Sequence, residues 1–207
     1  MAITHDYVMR LIEMMGEFFR RLADMASEQM QARALDEMCR DQCGLSMEAA
    51  LALSEDTVES LLPPQGLFIL SELTYIRAKV MVRAGEEQDR MFLRSLRLLC
   101  MLREEEPMCL ARCVRLKELM DACEDLLTPE DYLRCAAFYL AGEHFDFGED
   151  AIFLAVEGAE ALGEYAAKGR ELLRGLLALP DSTLTPGGLP RADVRRAIDD
   201  LEAWGTA

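Results

Sequence analysis

The sequence is poor in the residues from which most catalytic and metal sites are built. It has two histidines, His5 and His144, and no two of its seven cysteines stand in a CxxC pair. So few imidazoles leave room for one histidine-centred site at most, and without CxxC loops a structural zinc site lacks its usual framework. There is no GxSxG segment and no glycine-rich loop after a strand, which argues against α/β-hydrolase, P-loop and dinucleotide-binding chemistry. No stretch alternates as a strand does, and no apolar run approaches the ~18 residues of a membrane span. The opening segment carries charge early and has no basic stretch ahead of a clean apolar core, so no signal peptide is expected. Positive charge is also scarce, with 22 Lys and Arg against 38 Asp and Glu and a net charge of −16. Such a surface repels phosphate backbones and anionic lipid, so neither nucleic acid nor a membrane is expected as partner, whereas a basic protein or peptide segment would suit it.

What is present is the material of a packed helical protein. Apolar residues make up 51% of the chain and charged ones 29%, enough to bury a core without covalent staples. The odd cysteine count argues for reduced thiols and hence a cytoplasmic setting. The thirteen methionines fall mostly at helical core spacing and are read as packing residues.

The 3.6-residue period predicts a helix over Thr4–Met25, apolar around more than half its circumference, with Tyr7, Leu11, Ile12, Met15, Phe18 and Phe19. A helix touching one neighbour does not need so much apolar surface, so this one is expected to be sandwiched or to pair with a second copy. Ser27 can cap a helix over Glu28–Cys43 that stops at Gly44, and shorter pieces follow over Met47–Leu53 and Glu55–Leu62. Pro63-Pro64 is read as the break between an N-terminal layer, 1–62, and an array of hairpins, 66–179. Within the array, helices are expected over Gly66–Ala84, Glu86–Arg103, Met108–Leu127, from Thr128-Pro129 to Gly142, and over Phe147–Ala159 and Ala161–Ala178. Pro180–Pro190 reads as a loop, and Arg191–Trp204 as a closing helix. Helices of this length joined by short turns are antiparallel neighbours, so the expectation is a single all-α domain, 1–207, built of helical hairpins.

In Pro129–Leu162, Tyr132, Cys135, Ala136 and Tyr139 are followed by a turn at Gly142 and then by Phe145, Gly148, Ile152 and Ala155. This alternation of large and small residues resembles the tetratricopeptide repeat, with Ala136 and Gly148 at its two small positions. It is a degenerate copy, since Tyr132, Cys135 and Ala136 replace the usual Trp-Leu-Gly start and the closing proline is missing. Between Gly66 and Leu102 only Ala78 and Gly85 keep the expected relation, and Arg90 stands where a small residue should. Over residues 4–160 the chain is similar to an uncharacterised bacterial family of unknown function. The resemblance rests on the run from Asp6 to Glu13, on Gly44-Leu45 with Ser46–Leu62, and on Gly142 with the run from Gly148 to Phe153. It implies a tetratricopeptide-like right-handed superhelix and transfers no activity or catalytic residue.

Two candidate chemistries remain. Cys39/Cys43 and Cys109/Cys113 are each four apart and would put two pairs of thiols on helix faces, but these are core positions, so packing is the reading and no metal or cofactor is expected. His144 lies among Glu143, Asp146, Glu149 and Asp150, a carboxylate–histidine cluster that could serve a metal-dependent or small-molecule enzyme. The spacing matches neither HExxH nor a calcium loop, and a polar turn before an acidic helix start accounts for it. The favoured reading is therefore a non-catalytic protein or peptide interaction module. Leu11, Phe18, Phe19, Tyr132, Tyr139 and Trp204 are its candidate contacts, and a homodimer through the first helix is one form it could take.

Overall fold

Helix starts follow local sequence closely. Thr4, Ser27, Ser46, Ser54 and Thr128 each accept a hydrogen bond from the backbone N–H three residues on, filling one of the donors a helix start leaves open. Thr128 completes a capping box, with the Asp131 side chain returning to the Thr128 N–H. The computed structural model describes residues 4–205, so the first three residues of the opening segment lie outside it.

The described residues form twelve α-helices and no strand. They divide into two compact units, one ending at Leu126 and one beginning at Leu127. The first holds α1 (His5–Ala23), α2 (Glu28–Cys43), α3 (Met47–Ala52), α4 (Glu55–Leu61), α5 (Pro64–Met81), α6 (Glu86–Cys100), α7 (Glu106–Ala122) and a 3-10 turn, Glu124–Leu126. The second holds α8 (Pro129–Ala141), α9 (Phe145–Glu157), α10 (Leu162–Leu176), α11 (Asp181–Leu184) and α12 (Arg191–Trp204). The division thus falls inside the stretch expected to be one array, and Pro63-Pro64 lies within the first unit. Pro63 caps α5 and Pro64 is its first residue, a position where a missing N–H costs nothing.

In the first unit α5 is the central helix. Every residue from Gly66 to Ile76 is buried, so this stretch of α5 is enclosed on all sides. It packs with α1, α2 and α6. Ser71 Oγ donates to the Ser95 carbonyl and Ser95 Oγ to that of Ser71, both at 2.9 Å, so two small residues let α5 and α6 approach and still satisfy their hydroxyls. α1 buries Val8, Leu11, Met15, Phe18 and Leu22 at spacings of three and four, and Gln31 Nε2 donates to the Leu22 carbonyl to tie α1 to α2.

In the second unit α8 and α9 form an antiparallel hairpin. Gly148 faces Leu140 and the Ala136 carbonyl so closely that a Cβ there would lie 2.4 Å from Leu140 Cδ2, and Tyr139 stacks on Phe147 at 5.6 Å. The expected loop over Pro180–Pro190 contains the short helix α11, and its Gly187-Gly188 turn caps α9. The Gly187 carbonyl accepts from Phe145 N (2.9 Å) and Asp146 N (3.4 Å). Arg191 closes the other end of this segment, donating to the Leu177 and Leu179 carbonyls at the end of α10 and to Asp181.

Candidate functional site

On α5, Glu72, Tyr75 and Lys79 recur at three and four and share a face; on α7, Arg112, Arg115 and Glu118 recur every three residues and do likewise. The two faces meet in a charged network. Glu72 lies 3.1 Å from Arg112 Nη2 and 3.6 Å from Arg115 Nη2. Arg115 also donates to Glu118 at 2.6 Å, and the Tyr75 hydroxyl donates to the same carboxylate, which Lys79 approaches to 3.5 Å. The Arg115 guanidinium lies 3.7 Å from the centre of the Tyr75 ring, and that of Arg112 5.3 Å from Phe68.

This network is buried where charge is expensive. The Glu72 side chain is 4% exposed, and those of Arg112 and Arg115 are 12% and 19% exposed. At the network's edge the Lys79 and Glu118 side chains are 40% and 42% exposed, so the buried part is two arginines flanking one carboxylate, Glu72, with Arg115 also held by Glu118. Hydrogen bonding is incomplete as well: Glu72 Oε1, Arg112 Nε and Arg115 Nε are buried without a hydrogen-bond partner, Oε1 holding only its ion pair. Burial, aided by the hydrogen bond to Glu118, pushes the Tyr75 hydroxyl up to about 12. Burial alone would raise Glu118, but the Tyr75 hydroxyl, Arg115 and Lys79 hold it below its ordinary value.

Beside the network opens a cleft of about 180 Å³, lined by Ile12, Met15, Gly16 and Phe19 of α1, Tyr75 and Ile76 of α5, and the three side chains Glu72, Arg112 and Arg115. Gly16 is mid-helix, where glycine costs ~1 kcal/mol relative to alanine. No packing within the unit requires it, since a Cβ there would meet nothing within 4 Å. The arrangement is a largely apolar pocket with two arginines and a carboxylate in its lining. It holds no nucleophile–base pair. Such a lining can offer charge-assisted hydrogen bonds to an anionic group and apolar surface to a hydrophobic one.

Of the expected contacts, only Phe19 lines this cleft. Leu11 and Phe18 are buried, 6% and 5% exposed, so the apolar excess of the first helix is taken up inside its own unit and at the cleft wall. Tyr132 packs on the core of the second unit, Tyr139 is buried there, and Trp204 meets Phe153 edge-on at 5.6 Å. The polar cluster does not converge. Glu143 is an exposed turn residue at φ 57, His144 is the N-cap of α9 with its ring 6.0 Å from Phe147, Asp146 abuts Gly188, and Asp150 is exposed. Glu149 is raised above its ordinary value by burial and by Asp150, Asp193 and Asp146. Among the described residues no group of three His, Cys, Asp or Glu is placed to hold a metal ion. None of the seven cysteines is in a disulfide, and only Cys43 is not fully buried.

Sequence reasoning passed over Glu72, Tyr75, Lys79, Arg112, Arg115 and Glu118. One signal was available: Glu72 is the only charge in the run Gly66–Ile76, and a carboxylate inside an apolar helix demands a partner. Comparison with family models, with curated proteins and with solved structures returns no match.

Proposed function

We propose that the chain is a non-catalytic interaction module that binds a peptide segment of another protein, and that the cleft between α1, α5 and α7 receives the segment's anchor residue. The observation that carries this is the cleft itself, about 180 Å³ of apolar-walled space over paired arginines. For scale, an engineered cavity of about 150 Å³ takes benzene, so there is room for one side chain and its polar end. A few well-buried anchor residues carry most of the binding energy at protein interfaces. The acidic surface elsewhere suits basic residues flanking the anchor. The tetratricopeptide-like character of α8–α9 belongs to the same proposal and is supported by the close seat of Gly148 against Ala136 and Leu140. Cysteines outside any disulfide, six of them buried, fit a reducing cytoplasm, and no described helix is long and apolar enough to cross a membrane.

The test is selection from a soluble random-peptide pool on immobilised chain, run beside a Gly16→Leu variant whose helicity and Tm are unimpaired. Enrichment of peptides with a shared apolar anchor by the natural chain alone supports the reading. Identical recovery by the two proteins overturns it.

A further inference from the structure

What the cleft leaves unfilled defines what would fill it. Its lining sets two arginines, Arg112 and Arg115, around one buried carboxylate, Glu72, beside an apolar wall; Arg112 Nε and Arg115 Nε are buried without a hydrogen-bond partner, and Glu72 Oε1 holds only its ion pair with Arg112. Two arginines around one glutamate make a poor structural device, because an apolar core of the same volume avoids their desolvation. The complement is a monoanion with two acceptor oxygens, a neighbouring N–H and an apolar side chain. A fatty acid has no N–H, an internal peptide segment has no carboxylate beside its amide unless it carries an acidic side chain, and a free amino acid brings an ammonium. The last residue of a peptide has all three groups on adjacent atoms.

We infer that the cleft captures the C-terminal residue of its peptide ligand, with the α-carboxylate on Arg112 and Arg115, the last amide N–H on Glu72, and an apolar side chain against Ile12, Phe19 and Ile76. This rests on the peptide-binding reading above and narrows it to a chain end. Glu72 has a second part in the arrangement: bridging both guanidiniums, it keeps them in place before the ligand arrives, so less ordering is needed on binding. Gly16 keeps the opposite wall low enough for the side chain to enter.

Fluorescence anisotropy on the full chain tests this with labelled hexapeptides ending in Leu, Ile, Met or Phe, each as the free acid and as the C-terminal amide. N-acetyl-leucine and octanoate serve as competitors. At least one acid peptide is expected to bind, its amide about ten- to a hundredfold more weakly, as befits loss of a charge-assisted pair. Gly16→Leu is expected to abolish binding without loss of Tm, and Arg112→Gln and Arg115→Gln to erase the difference between acid and amide. Because removing an arginine leaves Glu72 less well paired and can unfold the unit, Gly16→Leu carries the test on its own. Equal affinity of acid and amide overturns capture of the terminus while leaving peptide binding intact. Binding of N-acetyl-leucine or octanoate with no hexapeptide bound overturns peptide binding itself, assigning the cleft to a small carboxylate. Binding of none of the probes, or undiminished binding by Gly16→Leu, overturns the inference.

Discussion

The guanidinium of Arg115 lies 3.7 Å from the centre of the Tyr75 ring, and both residues bind the carboxylate of Glu118. The tyrosine is thereby flattened under a cation while its hydroxyl is committed to an anion. Of these, burial and the anion set its acidity: Tyr75 ionises near 12 against an ordinary 10. Alkaline titration followed by phenolate absorbance is expected to show a late component near pH 12 that Tyr75→Phe removes. Between those values the folded state keeps a proton that the unfolded state has lost, so stability falls as pH rises through this window. A titration unchanged by Tyr75→Phe would show that the hydroxyl is solvated and the network open.

Gly16 and Gly187 are predicted to respond in opposite senses to alanine. At Gly16 a Cβ meets nothing, so Gly16→Ala gains helix propensity and is expected to raise stability by ~0.5–1 kcal/mol in chemical denaturation.

At Gly187 the added Cβ would lie 2.3 Å from the Phe145 ring and 2.7 Å from the Glu143 carbonyl. A backbone oxygen cannot move aside as a side-chain end can. Gly187→Ala is therefore expected to cost about 1–3 kcal/mol and to loosen the turn that caps α9. Equal stability of the natural chain and the variant would show that the cap is not held.

These two glycines mark what the sequence makes legible. Helix boundaries set by adjacent residues, such as Thr128 before α8 and Gly44 after α2, are readable because the cap and the helix lie within a few residues. The start of α9 at Phe145, two residues ahead of expectation, is not, because its N–H groups are answered by a carbonyl some forty residues away. The site follows the same division. The apolar excess of the first helix is visible in its periodicity, and Phe19 with it. The pairing of Glu72 with Arg112 and Arg115 spans about forty residues and two helices, and no local pattern announces it. Whether Leu11 and Phe18 meet their own unit or a second copy stays open in the sequence for a related reason, since periodicity shows that a face is apolar and not what covers it; the structure buries both.

The cysteines give a prediction of accessibility. Six are buried, and burial pushes Cys113 up to about 12 and Cys109 upward as well, so their thiolates are scarce at neutral pH. Cys43 alone is part-exposed, and its thiol is raised as well, by the hydrogen bond with Cys39 and by burial. In the native chain a thiol reagent is therefore expected to modify Cys43 alone and slowly, with Cys43→Ser removing that reaction and the other thiols appearing on unfolding. Rapid modification of several thiols in the folded chain would contradict the packing of α2 and α7.

Glu149 gives a prediction of opposite character, because its position is unfavourable to its charge. It is half-buried on α9 with Asp150, Asp193 and Asp146 nearby, and only Arg196 acts in the other direction. Its carboxyl is held above the ordinary 4.5. In the window just above that value the folded state binds more protons than the unfolded one, so stability falls as pH rises through it and the penalty is fully present at neutral pH. Glu149→Gln removes the charge and keeps the shape. It is expected to stabilise the chain at pH 7 by about 0.5 kcal/mol, a figure kept small because the group is partly solvated. At pH 4, where the carboxyl is largely protonated in both states, the variant and the natural chain should unfold together. Thermal unfolding at the two pH values checks this, and a variant less stable at pH 7 would mean that Arg196 outweighs the three carboxylates and that this end of α9 depends on the charge.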